Sequence, residues 1–369
     1  MYDTAAVALD SIYDSQIGPD KGSASSFERA STKYGGRYTV TVDFSPKPAH
    51  PAANTLYSPP STPQGVPDPD GVLMYRVYVP LNPANLEGDV PLPQVTIEGG
   101  GADVVRGACS TDPPDTGDQL NDAIAGSSYP ASVPRPPIPG AHNPPTWSRA
   151  YGNEVYGLFG NDQNAYLTAG ISRQYGDLVV IHGRAPTFRN TRAGQSVVGH
   201  YQLRYWSICE NSITTRVVAC AADADAALRD GYYTYVISDP DVRPSNASAA
   251  DGVTWLPWGG TFPDGVVIYR NMLPSAAFTA AVQEIGRGQS PQHIMGPYYP
   301  QIVYCAPATF QEGGWAACQR QSAGSATSRS LPRSRDGAAR HTIHADDRPG
   351  ARRPPHRLGD RDQAGVHRR

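Results

Sequence analysis

The sequence predicts a mostly β protein: two tandem jelly-roll-like antiparallel β-sandwich domains with a few short helices. Three observations carry this reading. With 37 Gly and 36 Pro among 369 residues, long helices are hard to write, whereas short strands joined by turns suit the alphabet. Runs such as YTVTV (38–42) and YTYVI (233–237) alternate in polarity or are β-branched and aromatic, as half-buried strands are. One segment is written twice, as PDGVLMYRVYVP at 69–80 and PDGVVIYRNMLP at 263–274.

The doubling extends upstream. Tyr38–Asp43 precedes the first copy and Tyr233–Ser238 the second, with NTLY (54–57) and VTWLPWG (253–259) between, each after a polar, Pro-containing loop. Order and spacing recur, which points to internal duplication. Each copy reads as a strand, a long loop, a short aromatic strand, a turn and a buried strand. Such units are expected to pair into antiparallel sheets that bury one face. The second copy opens on HYQLRYWSICE (200–210), whose counterpart in the first would end at Met1-Tyr2-Asp3, so the chain is expected to start inside a strand.

The domain plan follows in order. A first β-repeat domain is expected at 1–105, its leading strand missing. A Pro-rich linker spans 106–149, with a helix candidate in TGDQLNDAIAG, and the second β-repeat domain spans 150–318. Within it, NDQNAYLTAGISRQYGDLVVIHGRAPTF reads as two strands around a Tyr-Gly-Asp turn, and PSAAFTAAVQEIGRG (274–288) as the best helix, Pro and Ser at its start and Gly at its end. Residues 319–369 form an Arg-rich tail without Phe, Tyr, Trp or Lys, for which disorder is expected. It reads as a polyanion-binding arm or as coding sequence translated in a shifted frame.

Cysteines and charge bound the setting. Cys209 with Cys220 and Cys305 with Cys318 are spaced for local disulfides, which places the chain in an oxidising compartment; Cys109 is left over. No C-x2-C knuckle occurs, which argues against zinc. Asn246-Ala-Ser248 is a glycosylation sequon, relevant in a eukaryotic secretory route. A net charge of −3, with the basic excess confined to the tail, argues against nucleic acid as the partner of the body. No apolar run is long enough to span a membrane. No signal peptide opens the chain, so it is either cytoplasmic or lacks its true beginning; the disulfide pattern favours a secreted or extracytoplasmic protein.

The strings RYWSIC, DGYYTYVISDPDVRP, VTWLPWG and VVIYRNMLP, in that order over residues 200–275, resemble the domain of unknown function 1214, usually paired with its relative 1254 in exported bacterial proteins. With the echo at 38–80 and the closing Met-Gly-x-Tyr-Tyr-Pro…Cys, the chain is similar to uncharacterised secreted actinobacterial proteins. The resemblance implies jelly-roll-like β domains and export, and no activity. The chain departs from it at the start and after Cys318.

No catalytic signature occurs: no G-x-S-x-G elbow, no P-loop, no HExxH and no H-x-H strand in the body. No cofactor and no metal is expected. The densest polar cluster is IHGRAPTFRNTRAG (181–194), where His182, Arg184, Arg189 and Arg192 follow an apolar strand and would suit an anionic ligand, or else pair with acids such as Asp177 and Glu154 at a sheet edge. His182, Asp177 and Glu154 are the acid/base candidates. Arg184, Arg204, Trp206, Tyr166 and Trp258 are the ligand-binding candidates, the aromatic ones as sugar-stacking or core residues. Arg76 and Arg270 occupy the same repeat position, which favours a structural role with a carboxylate or carbonyls facing each. The functional expectation is an extracytoplasmic binding or envelope-associated protein taking a small molecule or carbohydrate. The alternatives are a hydrolase or lyase acting on a small anionic molecule or sugar at the domain junction, and an inert, damaged gene product.

Overall fold

The apolar runs LVVI and VVIYRNML become strands, whereas VLMYRVYV, expected as a buried strand, is extended chain with a single bridge at Val72 and exposed side chains at Leu73, Tyr75 and Val77. The computed structural model describes residues 1–3, 7–27, 36–62, 65–67, 70–80, 82, 90–98, 103–107, 140–151, 160–212, 217–259 and 263–330, the last six as backbone. Short strands come first: β1 (Thr41–Asp43), β2 (Thr55–Tyr57), β3 (Val95–Ile97), β4 (Val104–Arg106) and β5 (Ser148–Ala150). The main body follows with β6 (Asn164–Ser172), β7 (Leu178–Arg184), β8 (Leu203–Ser212), β9 (Val217–Ala222), β10 (Leu228–Arg229), β11 (Tyr232–Ser238), β12 (Thr254–Pro257), β13 (Asp264–Pro274) and β14 (Gln301–Cys305). Helix α1 is Pro291–Met295 and α2 is Pro307–Ser330. Residues 1–327 form one compact unit and 328–369 a second.

The architecture is mostly β, with two five-stranded sheets packed face to face. One runs β5-β6-β13-β8-β9, antiparallel throughout; the other runs β10-β11-β7-β14, with β12 parallel to β11. Their inner faces share one core, to which Leu167 and Ile171 of β6, Ile208 of β8 and Tyr269 of β13 bring one side. Val179 and Ile181 of β7, Tyr235 of β11 and Tyr304 of β14 bring the other. β7 is buried on both faces, because Leu178 and Val180 join a second core with Phe310, Cys305 and Cys318 beneath α2. Burial on both faces explains why LVVI reads as an unbroken apolar run rather than an alternation.

Both disulfides expected from spacing are formed. Cys209 and Cys220 are opposite one another on β8 and β9, Cα atoms 4.1 Å apart, and Cys305–Cys318 ties the end of β14 to α2. Cys109 and the helix candidate at 116–126 lie outside the described residues.

Two local expectations are corrected. PSAAFTAAVQEIGRG forms a chain of turns, with a short 3-10 turn at Val282–Glu284, rather than a helix. Its apolar residues Phe278, Ala281, Val282 and Ile285 all enter the core, and the Val282 amide donates to Asn271 Oδ1 (3.0 Å) on β13, so tertiary bonds replace the helical ladder. Conversely, the tail does not begin at 319. The α2 helix runs to Ser330, broken by Gly313 and by Gly314, whose φ of 55° suits glycine alone.

The duplication is visible in backbone register. In the second copy β11 pairs with β12 as Val236↔Trp255, Ile237↔Leu256 and Ser238↔Pro257; in the first, β1 pairs with β2 as Thr41↔Thr55, Val42↔Leu56 and Asp43↔Tyr57. Aligned by sequence, these are the same pairs. The bond closing each ladder also recurs, Trp258 N–H to Ser238 O (2.8 Å) and Ser58 N–H to Asp43 O (2.9 Å). The pairing inside each copy is parallel, not antiparallel as expected, since the long polar loop crosses over instead of turning back. Arg270 sits on β13. Arg76 occupies the matching place in an extended segment joined to Tyr2 by a bridge at Val72, where Val266 pairs with Asn211 in the second copy.

Candidate functional site

Of the two catalytic candidates among the described residues, His182 and Asp177, His182 lines a concave site. It stands on the outer face of β7, opposite Thr234 of β11, and its Nδ1 lies 3.0 Å from Thr234 Oγ1. The diagonal neighbour Tyr232 stacks on one face of the imidazole, with ring centroids 5.4 Å apart and planes 4° from parallel. Trp315 covers the other face at 5.1 Å and 17°. Tyr232 owes its place to the tight Asp230-Gly231 turn joining β10 to β11, both turn residues having positive φ (54° and 79°), as a type I′ hairpin requires. Trp315 owes its place to the Gly313-Gly314 break, which redirects α2, and to the Cys305–Cys318 bond three residues on.

Around this stack opens a cleft of about 540 Å³. Besides the three rings it is walled by Arg229, Asp230, Asn246, Asp251, Glu312 and the Gly313-Gly314 backbone. Acids outnumber bases. Asn246 donates through Nδ2 to Phe310 O (3.1 Å), which leaves its buried Oδ1 as an acceptor without a partner among the described residues. That geometry also engages the sequon nitrogen in the fold. Burial pushes the His182 imidazole below its ordinary value, a bond to the Tyr233 backbone opposing, so it stays neutral near pH 7.

The other predicted residues are dispersed. Asp177 is exposed at the far end of β7, five residues from His182 along an extended strand, and Glu154 lies outside the described residues. Arg184 lies over the Tyr298 ring at 5.4 Å. Arg189 donates to Ser196 O (2.8 Å), and Arg192 donates to Pro80 O (3.1 Å) and pairs with Asp225, so the arginine cluster of 181–194 is largely spent on the fold. Arg204 makes two bonds to Asp14 (2.9 and 3.3 Å) and covers Phe27. Trp206 is fully buried, its indole N–H bonded to Pro186 O (3.1 Å), and so packs the core instead of stacking on a sugar. Trp258 is buried as well, with the Arg173 guanidinium 4.8 Å above its ring.

Tyr166 and Arg270 meet on the outer face of the β6-β13-β8 sheet. The Arg270 guanidinium lies 5.5 Å over Tyr166 and 5.9 Å over Tyr78, and its Nη1 reaches Ser207 Oγ at 3.4 Å. Arg76 bonds Tyr2 Oη (3.0 Å) and lies over that ring. Aromatic rings and hydroxyls meet both repeat arginines in these contacts.

Sequence reasoning missed Tyr232, Asn246, Glu312 and Trp315 as site residues. The available signal was EGGW inside a disulfide-closed loop: two glycines that aim a tryptophan.

No family model matches the chain, and no curated protein is similar to it. Two solved structures resemble parts of it. An uncharacterized protein from Burkholderia cenocepacia is 14% identical, with TM-score 0.28, over 44% of this chain and 35% of that one. A protein from Vibrio parahaemolyticus is 18% identical, with TM-score 0.25, over 40% of this chain and 33% of that one. The likeness thus spans about a third of either protein's length. It carries nothing about function.

Proposed function

We propose that this chain is an extracytoplasmic binding protein whose cleft beside His182 takes a hydroxyl-rich small molecule, a carbohydrate. The observation that carries the reading is the stack of Tyr232, His182 and Trp315 at the mouth of an acceptor-rich cleft. Asp230, Asp251, Glu312 and the unpartnered Asn246 Oδ1 offer acceptors, which suits a ligand bearing many donors, while the indole and phenol offer apolar edges to a sugar's C–H faces. The acidic balance disfavours the small anion considered from the arginine cluster.

Binding is preferred to hydrolysis or lyase chemistry because the polar partner of His182 is a threonine hydroxyl, and among the described residues no carboxylate bonds the imidazole to orient it as a base. The two disulfides support an oxidising, extracytoplasmic setting. The resemblance to the domain of unknown function 1214 belongs to the same proposal: residues 200–275 include β8, β11, β12 and β13, and β11 floors the cleft.

The test is calorimetric titration of the full chain with neutral mono- and disaccharides, alongside Trp315→Ala. Saturable binding of one sugar per chain, weakened about fivefold by the substitution, is expected, since stacking on one ring is worth about 1 kcal/mol. Equal affinity of the wild type and the variant for every sugar that binds would sink the assignment, as would binding of organic anions alone.

A further inference from the structure

The two walls of the cleft beside His182 repeat one device. In each, a carboxylate is followed, after glycine, by a ring of the stack. One wall is Asp230-Gly231-Tyr232 at the β10–β11 turn; the other is Glu312-Gly313-Gly314-Trp315 at the break in α2. Positive φ at Asp230, Gly231 and Gly314 (54°, 79° and 55°) turns the chain at each place, and acid and ring of both pairs line the same cavity. Tyr232 gives one face to the imidazole and still has 41% of its surface exposed. Asp230, Asp251 and Glu312 are exposed as well, so all of these groups are open to a ligand.

These acids are not taken up by ion pairs. Asp251 accepts a bond from Ser248 Oγ (2.5 Å), and among the described residues no basic side chain pairs with Asp230, Asp251 or Glu312. Other exposed acids of the body do hold arginines: Asp14 pairs with Arg204, Asp225 with Arg192 and Asp239 with Arg173. Arg229, the guanidinium of the cleft wall, donates through Nη2 to Ala250 O (3.4 Å), its stem packed over Gly252. Three carboxylates against one guanidinium leave the cavity negative, and a concave wall of low dielectric strengthens that field. A carboxylate attracts a cation by its charge, and a ring face does so by its quadrupole. A neutral hydroxyl draws on neither.

Resting on the carbohydrate reading of the same site, we propose that the sugar this cleft takes carries a free, protonated amine: its ligand is an amino sugar. An ammonium brings three donors and a full charge to Asp230 and Glu312. The remaining hydroxyls find Asp251, and the sugar's C–H face finds the indole. N-acetylation removes the charge and leaves one donor on the nitrogen, so the acetamido sugar is the wrong ligand although its ring is the same.

The experiment is calorimetric titration of the full chain at about pH 6, where a primary amine is protonated. Glucose, galactose and mannose are each compared with their 2-amino and 2-acetamido forms, and tetramethylammonium serves as the cation without a sugar. In at least one series the 2-amino sugar is expected to bind at least about tenfold more tightly than both other forms. That advantage is expected to shrink by at least about threefold between about 0.02 and 0.2 M salt. In the double variant Asp230→Asn/Glu312→Gln it is expected to fall to about twofold or less, with an unchanged melting temperature because both side chains are exposed and Asn tolerates the positive φ at 230. Amino and parent sugars that bind alike, or an advantage that the double variant keeps, overturn the amine and leave the carbohydrate reading standing. Tetramethylammonium that binds as tightly as any sugar overturns both, and so does a panel in which nothing binds.

Discussion

Replacing Glu210 by Gln tests whether the core of the sandwich stores a proton. Glu210 lies on β8 with no accessible surface. Its Oε2 is 3.4 Å from the Gly259 amide, and its Oε1 has no partner among the described residues; nor has Nε1 of the buried Trp258. Both atoms border the space over Gly265, where a Cβ would lie 2.8 Å from Oε1 and 3.4 Å from Nε1. Burial pushes the carboxyl from 4.5 up to about 7, against the pull of the Gly259 amide and of Arg173. Between these two values the folded chain keeps a proton that the unfolded chain releases. Stability from this group is thus largest at the acid end, falls as pH rises towards about 7, and is flat above. At about 1.4 kcal/mol per pH unit, the loss across that interval is on the order of 3 kcal/mol, an upper limit because solvent can relax around the charge. Asp223, pushed by burial up to about 7, steepens the wild-type curve in the same window, but it is common to both proteins and cancels in their difference. Urea denaturation followed by tryptophan fluorescence at pH 5, 6, 7 and 8 measures that difference. The stability of Glu210→Gln relative to wild type should rise by about 2–3 kcal/mol from pH 5 to pH 8. A gap that stays constant with pH would refute the buried-proton account.

Further outcomes follow from the asymmetry of the copies and from the helix clamp. Tyr269→Ala should cost about 3–5 kcal/mol, whereas Tyr75→Ala at the equivalent place should fall within about 0.5 kcal/mol of wild type; chemical denaturation separates the two. Paired Cys305→Ser and Cys318→Ser should cost about 3 kcal/mol by loop entropy and also weaken ligand binding, because the bond holds Trp315 over His182; melting and titration of one preparation check both.

Much of the fold was legible because its signals are local. LVVI and VVIYRNML are long enough to declare themselves as strands, and the two cysteine pairs close loops short enough to be read by spacing. Strand direction was not legible. YTYVI and TWLP carry no mark that tells parallel from antiparallel pairing, which depends on how the loop between them crosses. The segment 274–288 misled for a related reason: its apolar spacing matches one helix face, yet those residues enter the core from a chain of turns pinned by Asn271. His182 could be singled out from its strand and neighbours. Its partners could not, since Thr234 and Trp315 arrive from distant parts of the chain.

The duplicated unit supplies scaffold, and the cleft's chemistry comes from elsewhere. Thr234 and its first-copy counterpart Thr39 are the same residue at the same repeat position, yet Thr234 meets His182 while Thr39 donates to Asp20 (3.2 Å). His182 belongs to β7, ahead of the second copy, and Trp315 to α2, behind it; neither segment has a counterpart in the repeat as read from sequence. A site built from repeat residues alone would occur twice per chain, whereas one that needs β7 and α2 occurs once. The parallel β11–β12 register is held in both copies, so that pairing alone cannot make a site. What distinguishes the second copy is that its sheet, widened by β7, is covered on one face by the β5-β6-β13-β8-β9 sheet and on the other by α2, and α2 turns that outer surface into a walled cleft. The first copy keeps the same β1–β2 frame, but Leu73, Tyr75 and Val77 are exposed where their counterparts Val267, Tyr269 and Asn271 are buried.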